Sequence, residues 1–122
     1  MFDAQAIKDK KYISLETYRK NKESVRVPVW FVVLDGIIHV ITREDTGKIK
    51  RIRNNPSVSI ALCTFNGKPL GEWFSGTAKF VDDETSNAAI ELRKKKYGFM
   101  ERIARFASRK KGKLVVFSIE IK

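Results

Sequence analysis

The chain has 122 residues, and its 25 lysines and arginines against 14 acidic residues give a formal net charge of +11. This length, with 43% hydrophobic residues, fits one domain over residues 1–122 that buries its own core. A single Cys63 and a single His39 exclude a disulfide framework and a His- or Cys-based metal site, and no nucleophile motif lies beside His39. The longest apolar run, 29–34, is too short to span a membrane, so we expect a cytoplasmic protein without a membrane partner.

Alternating apolar residues predict strands in the first part of the chain. Residues 12–18, 25–33 and 37–42 alternate with a period of two. Asp35-Gly36, between the second and third of these strands, predicts a tight hairpin. Pro28 has no N–H group to donate, so the second strand must lie at an edge or contain a bulge there.

The second part of the chain mixes helices with strands. Residues 46–54 have helical spacing, with Lys48, Lys50, Arg51 and Arg53 towards solvent, and end at Asn55-Pro56. Residues 57–65 and 72–81 are predicted strands joined by a loop rich in Gly and Pro. Asp82 or Asp83 caps a predicted helix that ends at Gly98, and 114–121 is the last strand. Six strands in this arrangement predict a mainly β fold, a six-stranded antiparallel barrel with peripheral helices.

A second predicted helix begins after Gly98 and lies in a strongly basic segment. It places Phe99, Ile103 and Phe106 on one face, and Arg102, Arg105 and Arg109 on another. Residues 93–113 as a whole contain ten basic residues and one acid, Glu101. Such a segment indicates either an anionic partner or a solvated helical face, and the sequence leaves both open.

The segment 42–48 joins a strand end to a helix start and is a candidate phosphate site. Thr46, Gly47 and Lys48 bring a hydroxyl, a free backbone N–H and an ammonium group to a helix N-terminus, where an anion is stabilised. The same residues also fit an ordinary helix cap with Lys48 in solvent. We expect Arg26 to reach the same anion from across the Asp35-Gly36 hairpin; the other interpretation is a solvated surface arginine.

Two tryptophans, Trp30 and Trp73, lie on the faces opposite the apolar stripes of their strands. Each is suited to flank a planar ring system, or to pack in the core or at a subunit interface.

These residues together resemble a known family. The runs 26–32, 38–42, 46–56 and 71–78 are similar to those of the pyridoxamine 5'-phosphate oxidase-like split-barrel flavoproteins, over about residues 12–122. Within that family the chain looks most like the small branch assigned to the deazaflavin coenzyme F420. The resemblance implies that Arg26, Thr42 and Lys48 hold the cofactor phosphate and that the backbone of Pro28, Val29 and Trp30 lies along the ring system. It also implies a homodimer with the cofactor at the interface.

The chain departs from the family pattern in one place that bears on the cofactor. Flavin-binding oxidases usually place an arginine immediately before the helix-start lysine, where this chain has Gly47, and their C-terminal residues for pyridoxal phosphate have no counterpart here. A deazaflavin tail would instead engage the basic residues of 50–53 or 93–109, which argues for F420 over FMN.

We therefore expect a flavin- or deazaflavin-dependent oxidoreductase acting on a small organic substrate, in which the cofactor transfers hydride and no side chain is an acid or base. Two other interpretations stay open. They are a small nucleic-acid-binding barrel, and a split barrel that holds a cofactor or haem without turnover.

Overall fold

The structure, a computed structural model, describes residues 2–122, which form seven strands and three α-helices. The strands are β1 (Ile13–Tyr18), β2 (Ser24–Val29), β3 (Val32–Leu34), β4 (Ile37–Arg43), β5 (Ser57–Leu62), β6 (Phe74–Phe80) and β7 (Leu114–Ile121). The helices are α1 (Gly47–Asn54), α2 (Asp83–Tyr97) and α3 (Phe99–Ala107), and short 3-10 turns occupy Ala4–Ile7 and Arg109–Lys111. The fold is therefore mainly β with peripheral helices, as predicted. No helix within residues 2–122 combines the length and the apolar character needed to cross a membrane.

The strands form one antiparallel sheet in the order β2-β1-β5-β6-β7-β4-β3. β2 and β3 lie at opposite edges of this sheet, yet only Trp30 and Phe31 separate them in the chain. The three Cα-to-Cα steps from Val29 to Val32 span at most about 11 Å. A flat sheet of seven strands would instead hold its two edges roughly 29 Å apart. The sheet therefore curls until its two edges meet near Phe31, and the predicted split barrel is confirmed.

The prediction of one continuous strand over 25–33, and so of six strands, is wrong. The N–H of Phe31 donates to Tyr97 Oη (3.1 Å), and the Lys96 ammonium donates to the Phe31 carbonyl (2.9 Å). Tyr97 Oη in turn donates to the Lys11 carbonyl (2.7 Å). The end of α2 thus satisfies the backbone of Phe31, and the chain leaves one edge of the sheet there to begin the other.

Several local predictions are confirmed. Leu34 pairs with Ile37 across the hairpin, and Asp35 and Gly36 have φ of +54° and +76°, as the tight turn requires. Pro28 lies in the edge strand β2. The Asp82 carboxylate accepts from the Thr85 N–H (2.8 Å) and caps α2, which ends at Gly98 with φ +57°.

The interior of the barrel is apolar. Phe31, Phe117, Ile13, Leu15 and Ile60 are among its largest fully buried side chains. Ile49 and Ile52 on α1 join this core, which fixes the position of that helix against the barrel. On the outer face α2 packs Ala89 into a second cluster with Val32, Ile41 and Val116.

Candidate cofactor site

The start of α1 is free of a side-chain cap. Thr46 occupies the N-cap position with extended backbone, but its hydroxyl donates to the Arg43 carbonyl (3.1 Å) instead of accepting from the helix. The interpretation of Thr46 as an ordinary side-chain cap is therefore wrong. The N–H groups of the first turn face outward at the positive end of the helix dipole, where an anion is stabilised.

Lys48 lies half-buried on the first turn of α1 and forms no ion pair within residues 2–122. Its burial, with the charges of Arg51 and Lys111 nearby, lowers the pKa of its ammonium group. A desolvated cation surrounded by other cations is unfavourable unless an anion compensates it.

Arg51 is a further candidate residue for the site, although its helical position predicted a side chain in solvent. Its Nε donates to Thr17 Oγ1 on β1 (2.6 Å), and the guanidinium folds back over the start of α1. A Cβ on Gly47 would lie 2.7 Å from Arg51 Nη1, so any side chain at position 47 would displace the guanidinium. Burial and the charge of Arg19 lower the pKa of Arg51. The sequence signal for this contact is a glycine followed four residues later by an arginine in the same helix. Helical side chains extend back towards the N-terminus, so the arginine can reach the space beside the glycine.

Four cations around the start of α1 are close enough for their charges to act on one another, and none forms an ion pair with an acidic residue within residues 2–122: Arg19, Lys48, Arg51 and Lys111. We call this group the α1 cation cluster. Lys111 joins it because the N–H of Asp45, just before α1, donates to the Lys111 carbonyl (2.9 Å). The neighbouring Lys50 differs, since it is exposed and lies 3.9 Å from the Asp45 carboxylate.

Arg26 forms a second group on the outer face of the sheet. Its Nε donates to the Glu16 carboxylate (2.6 Å), and its guanidinium lies over the Trp73 ring, 4.3 Å from the centroid. Burial alone would raise the pKa of Glu16, but hydrogen bonds from Tyr18 and Arg26 and the charge of Arg26 hold it below its ordinary value. The Trp73 ring and the Arg26 guanidinium therefore present one stacked surface.

The route by which Arg26 was expected to reach the phosphate is wrong. Arg26 lies opposite Glu16 because β2 pairs with β1, while only β3 pairs with β4 across the hairpin. No hydrogen bond or ion pair within residues 2–122 joins Arg26 to the α1 cation cluster. The two groups contact β1 from opposite faces, because Glu16 binds Arg26 and the next residue, Thr17, binds Arg51.

The remaining predicted residues lie in three different environments. Thr42 is buried on β4 opposite Val115. Pro28 is exposed at the edge, beside the loop that carries Gly67, whereas Val29 points into the core. Trp30 stacks on Tyr97 of α2, with ring centroids 4.2 Å apart and an interplanar angle of 7°. Packing against α2 is therefore the role that the structure shows for Trp30.

Comparison with known proteins decides the family. The sequence model of the family described as pyridoxamine 5'-phosphate oxidase matches residues 3–122, almost the whole chain. The protein belongs to the pyridoxamine 5'-phosphate oxidase family. No curated protein matches the chain.

Solved structures show the same fold at low identity. The conserved hypothetical protein Rv2991 of Mycobacterium tuberculosis matches with a TM-score of 0.75 and 20% identity, over 98% of this chain and 78% of its own. HutZ, a heme storage protein of Vibrio cholerae, matches with a TM-score of 0.71 and 17% identity, over 93% and 82%. An FAD-binding protein of Mesorhizobium loti matches with a TM-score of 0.65 and 18% identity, over 97% and 84%. At such identities these likenesses establish the fold and leave the ligand open.

Proposed function

We propose that this member of the family binds a flavin or a deazaflavin and is an oxidoreductase for a small organic substrate. The observation that carries the proposal is the α1 cation cluster, which lacks an acidic partner within residues 2–122 and lies at an uncapped helix start. A phosphate would neutralise it and accept from the first-turn N–H groups. The bound cofactor would supply hydride transfer.

The donor set fits a phosphate monoester or diester. Lys48 offers an ammonium group, Arg51 a planar guanidinium, and the first turn of α1 its backbone N–H groups. Arg51 occupies the space beside Gly47, and we infer that it replaces the arginine that flavin-binding oxidases of the family usually carry immediately before the lysine. Thr42 near the end of β4 and Thr46 at the N-cap precede α1 in the chain, and the proposed site includes both.

The ring system would lie on the outer face of β2, along the backbone of residues 28–30. Pro28 leaves this edge without one of its N–H donors, and the stacked pair of Arg26 and Trp73 provides a flat surface beside it.

We further propose that a second copy of the chain covers this face in a homodimer. Light scattering should then give about twice the 14.0 kDa chain mass when the cofactor is bound.

Titration with FMN and with coenzyme F420 tests the phosphate site. Each charge-assisted bond contributes roughly 1.5 to 3 kcal/mol, so Lys48→Ala should weaken binding about tenfold or more. For FMN, which has no tail to engage the basic residues of 50–53, Lys50→Ala is the matched control, because Lys50 is the next basic residue but is exposed and outside the cluster. Equal affinities for wild type and Lys48→Ala, or equal losses in the two variants, would contradict the assignment.

The choice between FMN and coenzyme F420 depends on the tail of the deazaflavin. Its carboxylates would engage exposed basic residues whose attraction is screened by salt. We therefore propose F420 as the preferred ligand and expect its affinity to fall more steeply with salt than that of FMN. Tighter FMN binding at every salt concentration would reverse this preference.

Holding haem without turnover is a second candidate, favoured by the likeness to a heme storage protein. Haem iron needs an axial ligand from the protein. The one histidine of the chain, His39, is buried, and its Nδ1 lies 2.9 Å from the Ile37 carbonyl oxygen. The visible absorbance spectrum of the protein loaded separately with haem, FMN and F420 distinguishes the candidates. Stoichiometric haem binding with no flavin or deazaflavin binding would replace the proposal.

A further inference from the structure

Helix α3 is oriented with its apolar side outward. Phe99, Met100, Ile103 and Phe106 are 70%, 59%, 48% and 66% exposed, although a surface helix normally turns its apolar stripe towards the core. At 100° per residue these four side chains span about a third of the helix circumference. Glu101, on the opposite side, is completely buried.

A charged anchor holds α3 in this orientation. The Glu101 carboxylate accepts from Arg93 Nη2 on α2 (2.9 Å) and from Arg105 Nε (3.3 Å). Arg43 on β4 donates to the Arg105 carbonyl (2.7 Å), to Ser108 Oγ (3.0 Å) and to the Gly112 carbonyl (3.1 Å). Because the helix is held through its polar side and its C-terminal carbonyl groups, the apolar stripe remains on the surface.

The surface around the stripe is positively charged. Arg102 and Arg109 are exposed beside it, and together with Arg43 and Arg105 they line the groove that the stripe borders. The one acid of residues 93–113, Glu101, is buried and paired with two arginines. A partner for this surface must therefore be both apolar and anionic.

Two other occupants fit less well. Two copies meeting through α3 about a two-fold axis would bring the same arginines of both chains together, where they repel. Single-stranded nucleic acid requires free aromatic faces, but the Arg109 guanidinium already covers the Phe106 ring, 4.0 Å from its centroid. Of the other three side chains of the stripe, only Phe99 carries a ring, and Met100 and Ile103 offer none for base stacking.

We propose that α3 docks on the surface of an anionic lipid bilayer. The stripe enters the boundary between headgroups and acyl chains while the flanking arginines contact lipid phosphates, as in interfacial amphipathic helices. This changes the sequence-based expectation of no membrane partner, which rested on the absence of a spanning segment. The proposal is independent of the proposed cofactor chemistry.

Flotation with lipid vesicles tests the proposal on the full chain. Wild type should float with vesicles of phosphatidylcholine and phosphatidylglycerol and dissociate as salt rises, but not float with phosphatidylcholine alone. Phe99→Gln/Ile103→Gln should weaken binding by roughly tenfold for each inserted side chain. Arg102→Gln/Arg109→Gln should weaken it about fivefold per residue.

Matched controls separate α3 from general effects of hydrophobicity and charge. Phe65→Gln/Leu70→Gln removes two exposed apolar side chains from the loop before β6, and Lys10→Gln/Lys20→Gln removes two exposed charges elsewhere. Both controls should float as wild type does. All substituted side chains are exposed, and circular dichroism of each variant confirms that the fold is retained.

Three results would overturn the proposal. The first is wild type that does not float with anionic vesicles, or α3 variants that float as well as wild type. The second is a fall from dimer to monomer in light scattering of Phe99→Gln/Ile103→Gln, which would assign the stripe to a second copy. The third is that wild type binds a labelled oligonucleotide and that Arg102→Gln/Arg109→Gln loses this binding while it still binds vesicles.

Discussion

Glu101→Gln tests the anchor that keeps α3 in its unusual orientation. The carboxylate is completely buried and faces Arg93, whose side chain is only 8% exposed. Arg93 has few other partners, because its Nη1 lies 3.4 Å from the Ile41 carbonyl and its Nε has no hydrogen-bond partner within residues 2–122. Burial lowers the pKa of Arg93, and the hydrogen bond and charge of Glu101 oppose this shift.

Glutamine preserves the size of the side chain but removes its charge, which leaves Arg93 as an uncompensated buried cation. Breaking a buried pair in this way reduces the free energy of unfolding by about 3 to 5 kcal/mol. For a domain of this size the melting temperature should fall by roughly 10 to 20 °C. Arg105→Gln is the control: its side chain is 40% exposed, so its loss should reduce stability by at most about 1 kcal/mol.

Urea unfolding and thermal melting of both variants measure these effects. A third variant, Arg93→Met/Glu101→Leu, should be more stable than Glu101→Gln, because it leaves no buried charge unpaired. The reasoning fails if the free energy of unfolding of Glu101→Gln lies within about 0.5 kcal/mol of the wild-type value, the usual range for surface substitutions. It also fails if Arg93→Met/Glu101→Leu is less stable than Glu101→Gln.

Three further predictions follow from contacts elsewhere. Gly47→Ala places a Cβ 2.7 Å from Arg51 Nη1, so the guanidinium should leave the start of α1 and the affinity for FMN should fall about tenfold; an unchanged titration would show that Arg51 does not contact the phosphate. Burial, outweighing the charge of Asp9, lowers the pKa of Lys96 to about 8. Above that pH the unfolded chain binds more protons at Lys96 than the folded chain, so stability should rise from about pH 8 to pH 10. Above about pH 10 the raised pKa of buried Tyr97 opposes the rise, because only the unfolded tyrosine ionises. Lys96→Met should reduce the rise and leave only the part that the lowered pKa of Lys48 contributes, and an unaltered pH profile of urea unfolding would contradict this account. Tyr97→Phe should reduce the free energy of unfolding by about 1 to 3 kcal/mol, because the buried N–H of Phe31 loses its acceptor, and an effect within error would contradict the role given to Tyr97 at the barrel seam.

Features that depend on neighbouring residues could be predicted from the sequence. The Asp35-Gly36 turn, the Asp82 cap and the stop at Gly98 each depend on the conformational preference of one or two residues, and all three are present. The helix start at Thr46, Gly47 and Lys48 is contiguous in the chain, so its position could also be predicted. The mainly β class followed from period-two alternation, which is a local pattern as well.

Features that depend on partners far along the chain were decided by the tertiary structure. The break between β2 and β3 is fixed by Tyr97 and Lys96, more than sixty residues after Phe31, and the alternation of 25–33 continues through it without a signal. Arg26 faces Glu16 because β2 pairs with β1, which no pattern within the second strand specifies. The outward stripe of α3 has the same origin. Its periodicity predicts an amphipathic helix, but the ion pair between Glu101 and Arg93 of α2 determines which side is buried. Hydrophobic periodicity defines the two faces of an element, and only the contacts it makes in three dimensions decide which face meets the core.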